Sequence, residues 1–148
     1  MKLNYSIEPD PEKTSRAIGK ELHISKKHAF EISSAIKGMK LGTAREFLED
    51  VVELKKAVPY KRYTRNVPHR KGMCTGRYPQ KAAREFLRIL KNLESNATYK
   101  GLDQENMRIT HIATKKGHTF RGSFPRAQGR ATPKNHETVS VEMILEAK

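Results

Sequence analysis

The sequence has no tryptophan, a single cysteine (Cys74), and only 7% aromatic residues. One cysteine cannot form an intramolecular disulfide, which fits a reducing compartment. No apolar run approaches the roughly 18 residues that a membrane-spanning helix requires. The opening MKLNYSIEPDPEKTSR lacks the apolar stretch of a secretory signal, so a soluble cytoplasmic chain is expected. Its 148 residues suffice for one domain with a modest core, not for two ordinary ones.

The most informative scarcity is of carboxylates, and it is local. Met1–Glu53 carries 9 basic and 9 acidic residues, but Leu54–Arg84 has 10 basic residues and no acid. Glu85–Glu105 holds 3 basic against 4 acidic, and Asn106–His136 again has 7 basic residues and no acid. The two acid-free stretches contribute +17 to a formal charge of +14, so the remainder is slightly negative. Segregation of this kind concentrates positive potential where a polyanion docks, and phosphate neutralisation drives nucleic-acid affinity.

Catalytic and metal-binding patterns are also missing. The six histidines (His23, His28, His69, His111, His118, His136) form no H-x-x-x-H or H-E-x-x-H pair, and His69 and Cys74 have no further partners to complete a zinc set. There is no G-x-G-x-x-G or phosphate loop. Carboxylates are confined to the neutral segments, away from the basic surface where an RNA substrate would lie. No catalytic residue, metal or cofactor is expected.

The elements that are present point to one α+β domain. Arg16–Ile24 alternates loosely, with Ile18, Leu22 and Ile24 on one side, and reads as a strand. Ser25 is placed to cap a helix carrying Ala29, Phe30, Ile32 and Ile36, with Gly38 beyond its end. A second helix is predicted from Thr43, where Thr43 and Glu46 match a capping box. Its stripe of Phe47, Leu48, Val51, Leu54 and Val58 is stopped by Pro59. A third opens at Pro79, carries Ala83, Phe86, Leu87, Leu90 and Leu93, and ends near Asn96. Stripes at this spacing are ordinarily core.

Two segments stand apart. The stretch VPYKRYTRNVPHRKGMCTGRY interleaves tyrosines with cations and has no apolar periodicity, as in segments that order against RNA. Further on, Met107–Thr114 and Val139–Leu145 alternate as strands. Paired as a hairpin from Met107 and Leu145, they centre on Arg126, and residues 115–137 become an arm reaching roughly 35 Å. With its glycines and prolines and few apolar side chains, such a ribbon is marginal alone, so an anionic partner is expected to order it. The expected division is a body of residues 1–114 and 138–148, including a basic loop at 59–78, and an arm at 115–137.

Three quoted segments carry a resemblance: ISKKHAFEISSAIKGMKLGTAREFL, RYPQKAAREFLRILKNLESNA, and FPRAQGRATPK at the hairpin turn. Over nearly its whole length the chain resembles the large-subunit ribosomal protein family numbered twenty-two in bacteria and archaea and seventeen in eukaryotes. The long basic loop Pro59–Tyr78 and the absence of a C-terminal extension resemble the archaeal form. The resemblance implies three helices packed on a small antiparallel sheet, with a long protruding β-hairpin. It implies binding to large-subunit ribosomal RNA, contacts with neighbouring ribosomal proteins, and a role in assembly. By position, Pro125, Arg126, Ala127, Gln128, Gly129 and Arg130 would form the tip that lines the exit tunnel beside the nascent polypeptide.

The residues expected to bind RNA are Lys61, Arg62, Arg65, His69, Arg70, Lys71 and Arg77 in the loop. In the arm they are Lys115, Lys116, His118, Arg121, Arg126, Arg130 and Lys134. No homo-oligomer is expected. An RNA-processing enzyme would need an acid–base constellation facing RNA, and a DNA-binding protein would need a base-reading helix. A membrane-surface protein would need an apolar face beside its cations. None of these accounts for the charge pattern together with the arm.

Overall fold

The computed structural model describes residues 5–103 and 106–147. Strand β1 (Thr14–Leu22) leads to helices α1 (Lys26–Ile36) and α2 (Leu41–Val52), then to the short strands β2 (Val58–Pro59) and β3 (Gly76–Arg77). Helix α3 (Gln80–Tyr99) precedes β4 (Met107–Phe120), β5 (Ser123–Pro125), β6 (Ala131–Pro133) and β7 (His136–Ala147). The antiparallel sheet has the order β1-β7-β4, and the core side chains of all three helices pack on one face of it. This is the expected α+β architecture.

Being central, β7 is buried on both faces from Val141 to Leu145. Val139, Val141, Met143 and Leu145 join Ile32, Leu48, Phe86 and Leu90 in the core. Glu142 and Ile144 lie on the opposite face, where the segment around Ser6 covers Glu142.

Several boundaries differ from expectation, each for a tertiary reason. β1 runs from Thr14 to Leu22 instead of 16–24, and its buried side carries Ser15 and Ala17, while Ile18 and Leu22 are only partly buried. Small side chains are needed there because α3 lies close. Ser15 Oγ donates to the Leu93 carbonyl at 2.9 Å, and a Cβ on Gly19 would stand 2.7 Å from Ile89 Cδ1. Ser25 holds the N-cap position of α1 but makes no side-chain cap bond. Gly38 follows the end of α1 at φ 84° and donates its N–H to the Ile109 carbonyl.

The Thr43–Glu46 capping box does not form. Lys40 pairs with Arg108 as a β-bridge and the Ile109 N–H bonds Met39, so tertiary pairing starts α2 at Leu41. Nor does α2 run on to Pro59. Leu54 adopts φ 66° and is exposed, and the Lys55 N–H turns back onto the Asp50 carbonyl. Val58 is buried, but in β2. Helix α3 begins after Pro79 as expected and runs past Asn96 to Tyr99, where Gly101 at φ 71° closes it.

The hairpin register also departs from the simple count. Met107 pairs with Ala147, and β4 holds an extra residue against β7 at two places: between Ile109 and His111, and between Lys116 and Thr119. The first irregularity turns Ile112 inward in place of His111. The turn closes through Arg126 N–H to the Arg130 carbonyl at 2.7 Å and centres on Gln128, beyond the predicted Arg126.

Candidate nucleic-acid interface

The loop between α2 and α3 has a fold of its own. β2 and β3 pair at its neck through Val58 with Arg77 and Pro59 with Gly76. Tyr60 is buried beneath it. Glu31, on α1 and only 1% exposed, accepts the backbone N–H groups of Lys61, Arg62 and Tyr63 at 3.0, 2.9 and 2.8 Å. A buried carboxylate is stable when such donors surround it. Here it fixes the backbone so that the Lys61 and Arg62 side chains are exposed. The basic loop is therefore ordered by the protein, against the expectation of a segment ordered by RNA.

Rings and cations alternate over this surface. The Arg62 guanidinium lies 5.0 Å from the Phe30 ring centre, Lys27 Nζ 5.8 Å from that of Tyr63, and Arg70 5.3 Å from that of Tyr78. Arg77 donates to the Asn66 carbonyl at 2.9 Å, and Asn66 (φ 59°) and Gly72 (φ 78°) make the tight turns. Lys61, Arg62, Arg65, His69, Arg70, Lys71 and Arg77 are all exposed, and none of the six cations among them meets a described carboxylate. His28 is partly buried behind them; burial, then Arg77 and Lys27, lowers its pKa.

The second surface is the ribbon. Every residue from Phe120 to His136 is exposed, including Arg121, Arg126, Arg130, Lys134 and the whole tip Pro125–Arg130. Gln128 (φ 60°) and Gly129 (φ 70°) take the left-handed conformations of the turn. Beside it the Arg126 Nε–H donates to Thr132 Oγ1 at 3.2 Å. Lys134 Nζ sits 4.4 Å from the ring centre of Phe124.

At its root the ribbon is tied to the body. Phe120 stacks on His23 with ring centres 5.9 Å apart and meets the edge of His118 at 4.9 Å. Lys116 and Lys26 both bridge Glu137, at 3.1 and 3.0 Å, and their hydrogen bonds lower its pKa. Lys115 bonds Glu142 at 2.9 Å. Lys115 and Lys116 thus have carboxylate partners, whereas among the described residues the cations further out meet none.

Glu142 is only 1% exposed and also meets His111 Nε2, the Ser6 hydroxyl and the Ser6 N–H. Burial would raise its pKa, but the bonds from Ser6, Lys115 and His111 outweigh that and hold it at about 2. The expectation that carboxylates stay away from the basic surface therefore needs correcting, because Glu31, Glu137 and Glu142 organise it from beneath. Glu31 and Glu142 stand next to core positions of α1 and β7, Ile32 and Val141 with Met143, and that placement is the signal that could have found them. Among the described residues, no cluster of three or more His, Cys, Asp or Glu could hold a metal ion. No described helix is long and apolar enough to cross a membrane.

Set against known proteins, the sequence is that of a ribosomal protein, a structural class and not an enzyme. The chain belongs to the family described as Ribosomal protein L22p/L17e, whose model matches residues 17–146. It is similar to large ribosomal subunit protein uL22 of Methanothrix thermoacetophila, at 60% identity over 97% of this chain and 96% of the relative. The same protein of Methanococcus aeolicus is 52% identical over 98% of this chain and 97% of its own length. That of Archaeoglobus fulgidus is 48% identical over 99% and 97%. The RAQGR turn and the helical segments pointed to this family, and the long basic loop to its archaeal form.

Proposed function

We propose that the chain is a structural constituent of the cytoplasmic large ribosomal subunit, binding its RNA through the β2–β3 loop and the β4–β7 ribbon. It contacts neighbouring ribosomal proteins and supports assembly. The tip Pro125–Arg130 lines the polypeptide exit tunnel, where it meets the nascent chain. The observation that carries this reading is the state of the predicted binding residues. All are exposed, and of their cations only Lys115 and Lys116 meet a described carboxylate.

Unpaired cations on an ordered loop and on a ribbon without apolar cover have phosphate as their natural complement. Arginine adds planar, bidentate contacts and stacking that lysine does not. The small residues Ala127 and Gly129 at the turn suit close approach to a confined wall. Co-sedimentation of the tagged full chain with large subunits, with crosslinking from positions 126 and 130, tests the reading. Crosslinks to large-subunit RNA are expected. A chain that stays off the subunit, or crosslinks to protein alone, overturns it.

A further inference from the structure

A cavity of about 280 Å³ lies where α1 meets the β2–β3 loop, lined by Lys27, His28, Tyr60, Arg62, Arg65 and Arg77 among others, with no carboxylate in its wall. We propose that this cavity seats one phosphodiester phosphate of RNA, held by Lys27, Arg62, Arg65 and Arg77 and by a hydrogen bond from the Tyr60 hydroxyl. The inference rests on the RNA-binding reading above and assigns one contact within it to a built pocket.

Tyr60 supplies the independent observation. Its side chain is 4% exposed, yet its hydroxyl is sealed from solvent and has no hydrogen-bond partner among the described residues. Buried hydroxyls are rarely left unpaired, and each exception calls for an absent partner. Burial pushes the phenol up to about 12, so it stays a protonated donor at working pH. The four cations of this wall are on exposed side chains.

Every charged group at this wall is cationic, and the neutral hydroxyl adds a donor. A phosphodiester only accepts, carries a charge at all working pH, and complements such a set. A cation or a neutral donor does not. The nearby carboxylate, Glu31, turns its oxygens to the Lys61, Arg62 and Tyr63 backbone and forms no ion pair with the cations of this wall among the described residues. The volume is just below the roughly 300–1,000 Å³ of small-molecule pockets, which suits a phosphate with the edge of its ribose.

His28 gives the pocket a reporter. The groups that face it are Lys27 from its own helix, Arg77 from β3 and the Tyr60 ring, 6.1 Å away centre to centre. Burial and the two cations lower its pKa, and a bound phosphate opposes the cations. Binding therefore raises the His28 pKa and takes up protons, so affinity increases as pH falls through its titration.

The test follows the His28 ring by NMR in the full chain, titrated with inorganic phosphate alone and with a short single-stranded RNA. In parallel, binding of the same RNA to wild type, Tyr60→Phe and Arg77→Met is measured at matched salt. Expected are a raised His28 pKa with RNA, and affinity reduced about five- to tenfold in each variant. RNA binding with ordinary salt dependence, an unmoved His28 and an unaffected Tyr60→Phe overturns the pocket and leaves the broader reading intact. A His28 response to inorganic phosphate but not to RNA makes this a free-anion site and overturns the assignment. No RNA binding at all overturns both.

Discussion

Glu31 and Glu142 are acids inside a basic protein: Glu31 holds the backbone of the basic loop, and Glu142 ties the side chains of Lys115 and His111 to the segment at Ser6. Replacing Glu31 with Gln leaves a single acceptor oxygen for three backbone donors. The expected result is a loss of about 1–3 kcal/mol of local stability. It should appear as faster amide exchange at Lys61, Arg62 and Tyr63 while α1 keeps its protection. For Glu142 the folded pKa of about 2 lies below the ordinary 4.5, so its contribution is complete above about pH 4.5 and fades as pH falls towards 2. Glu142→Gln is expected to lower stability by about 1–3 kcal/mol at neutral pH, with the gap to wild type closing across that acid window. Denaturant titrations at several pH values check this, and a constant gap contradicts it. Neither residue was legible as a contact in the sequence, because partners such as Lys61 and Ser6 lie 30 and 136 positions away.

At the scale of elements, periodic segments were readable and their ends were not. The stripe of α3 predicted its start and its buried face, since Phe86, Leu90 and Leu93 repeat at helical spacing and the missing N–H of Pro79 suits a start. The start of α2 was misread because a Thr-x-x-Glu pattern is local, whereas the bridge between Lys40 and Arg108 is not. Strand alternation located β4 and β7, but an irregularity adds a residue without any marker in composition. The ribbon root offers a test. A Cβ at Gly117 would stand 2.4 Å from Thr138 Oγ1 and 3.3 Å from the Thr138 backbone. Gly117→Val should therefore cost about 1–3 kcal/mol through overpacking and should weaken pairing between Thr119 and Glu137, seen as lost amide protection. Deleting Gly117–Lys134 instead leaves Asn135–Thr138 to turn from Lys116 to Val139. The body should keep its helical circular dichroism, while incorporation into large subunits declines. An unfolded product shows that body and ribbon are one cooperative unit.

For the molecule as a whole, charge and shape act together. Overall composition pointed to a polyanion partner, and the acid-free stretches marked out the loop and the ribbon on which the proposed RNA contacts lie. The folded loop on Glu31 had no counterpart in composition, because its order comes from a helix distant in sequence. Each phosphate contact lowers the slope of log affinity against log salt by about 0.7–0.9. Changing Arg121, Arg126 and Arg130 together to Gln is therefore expected to flatten that slope by about 2–3 for a large-subunit RNA fragment. Fluorescence titrations at several salt concentrations measure it. An unchanged slope removes the ribbon from the binding surface.

The two surplus residues in β4 have a geometric consequence for the tip. Side chains along a strand point alternately up and down, so each uncompensated residue exchanges the two sides of everything beyond it. Two such exchanges restore the original parity, and Arg121, Phe124 and their neighbours point as they do only because the count is even. One codon gained or lost between Lys116 and Phe120 would keep the pairing up to Lys116, but turn Phe120 off His23 and reverse the sides of that limb of the ribbon.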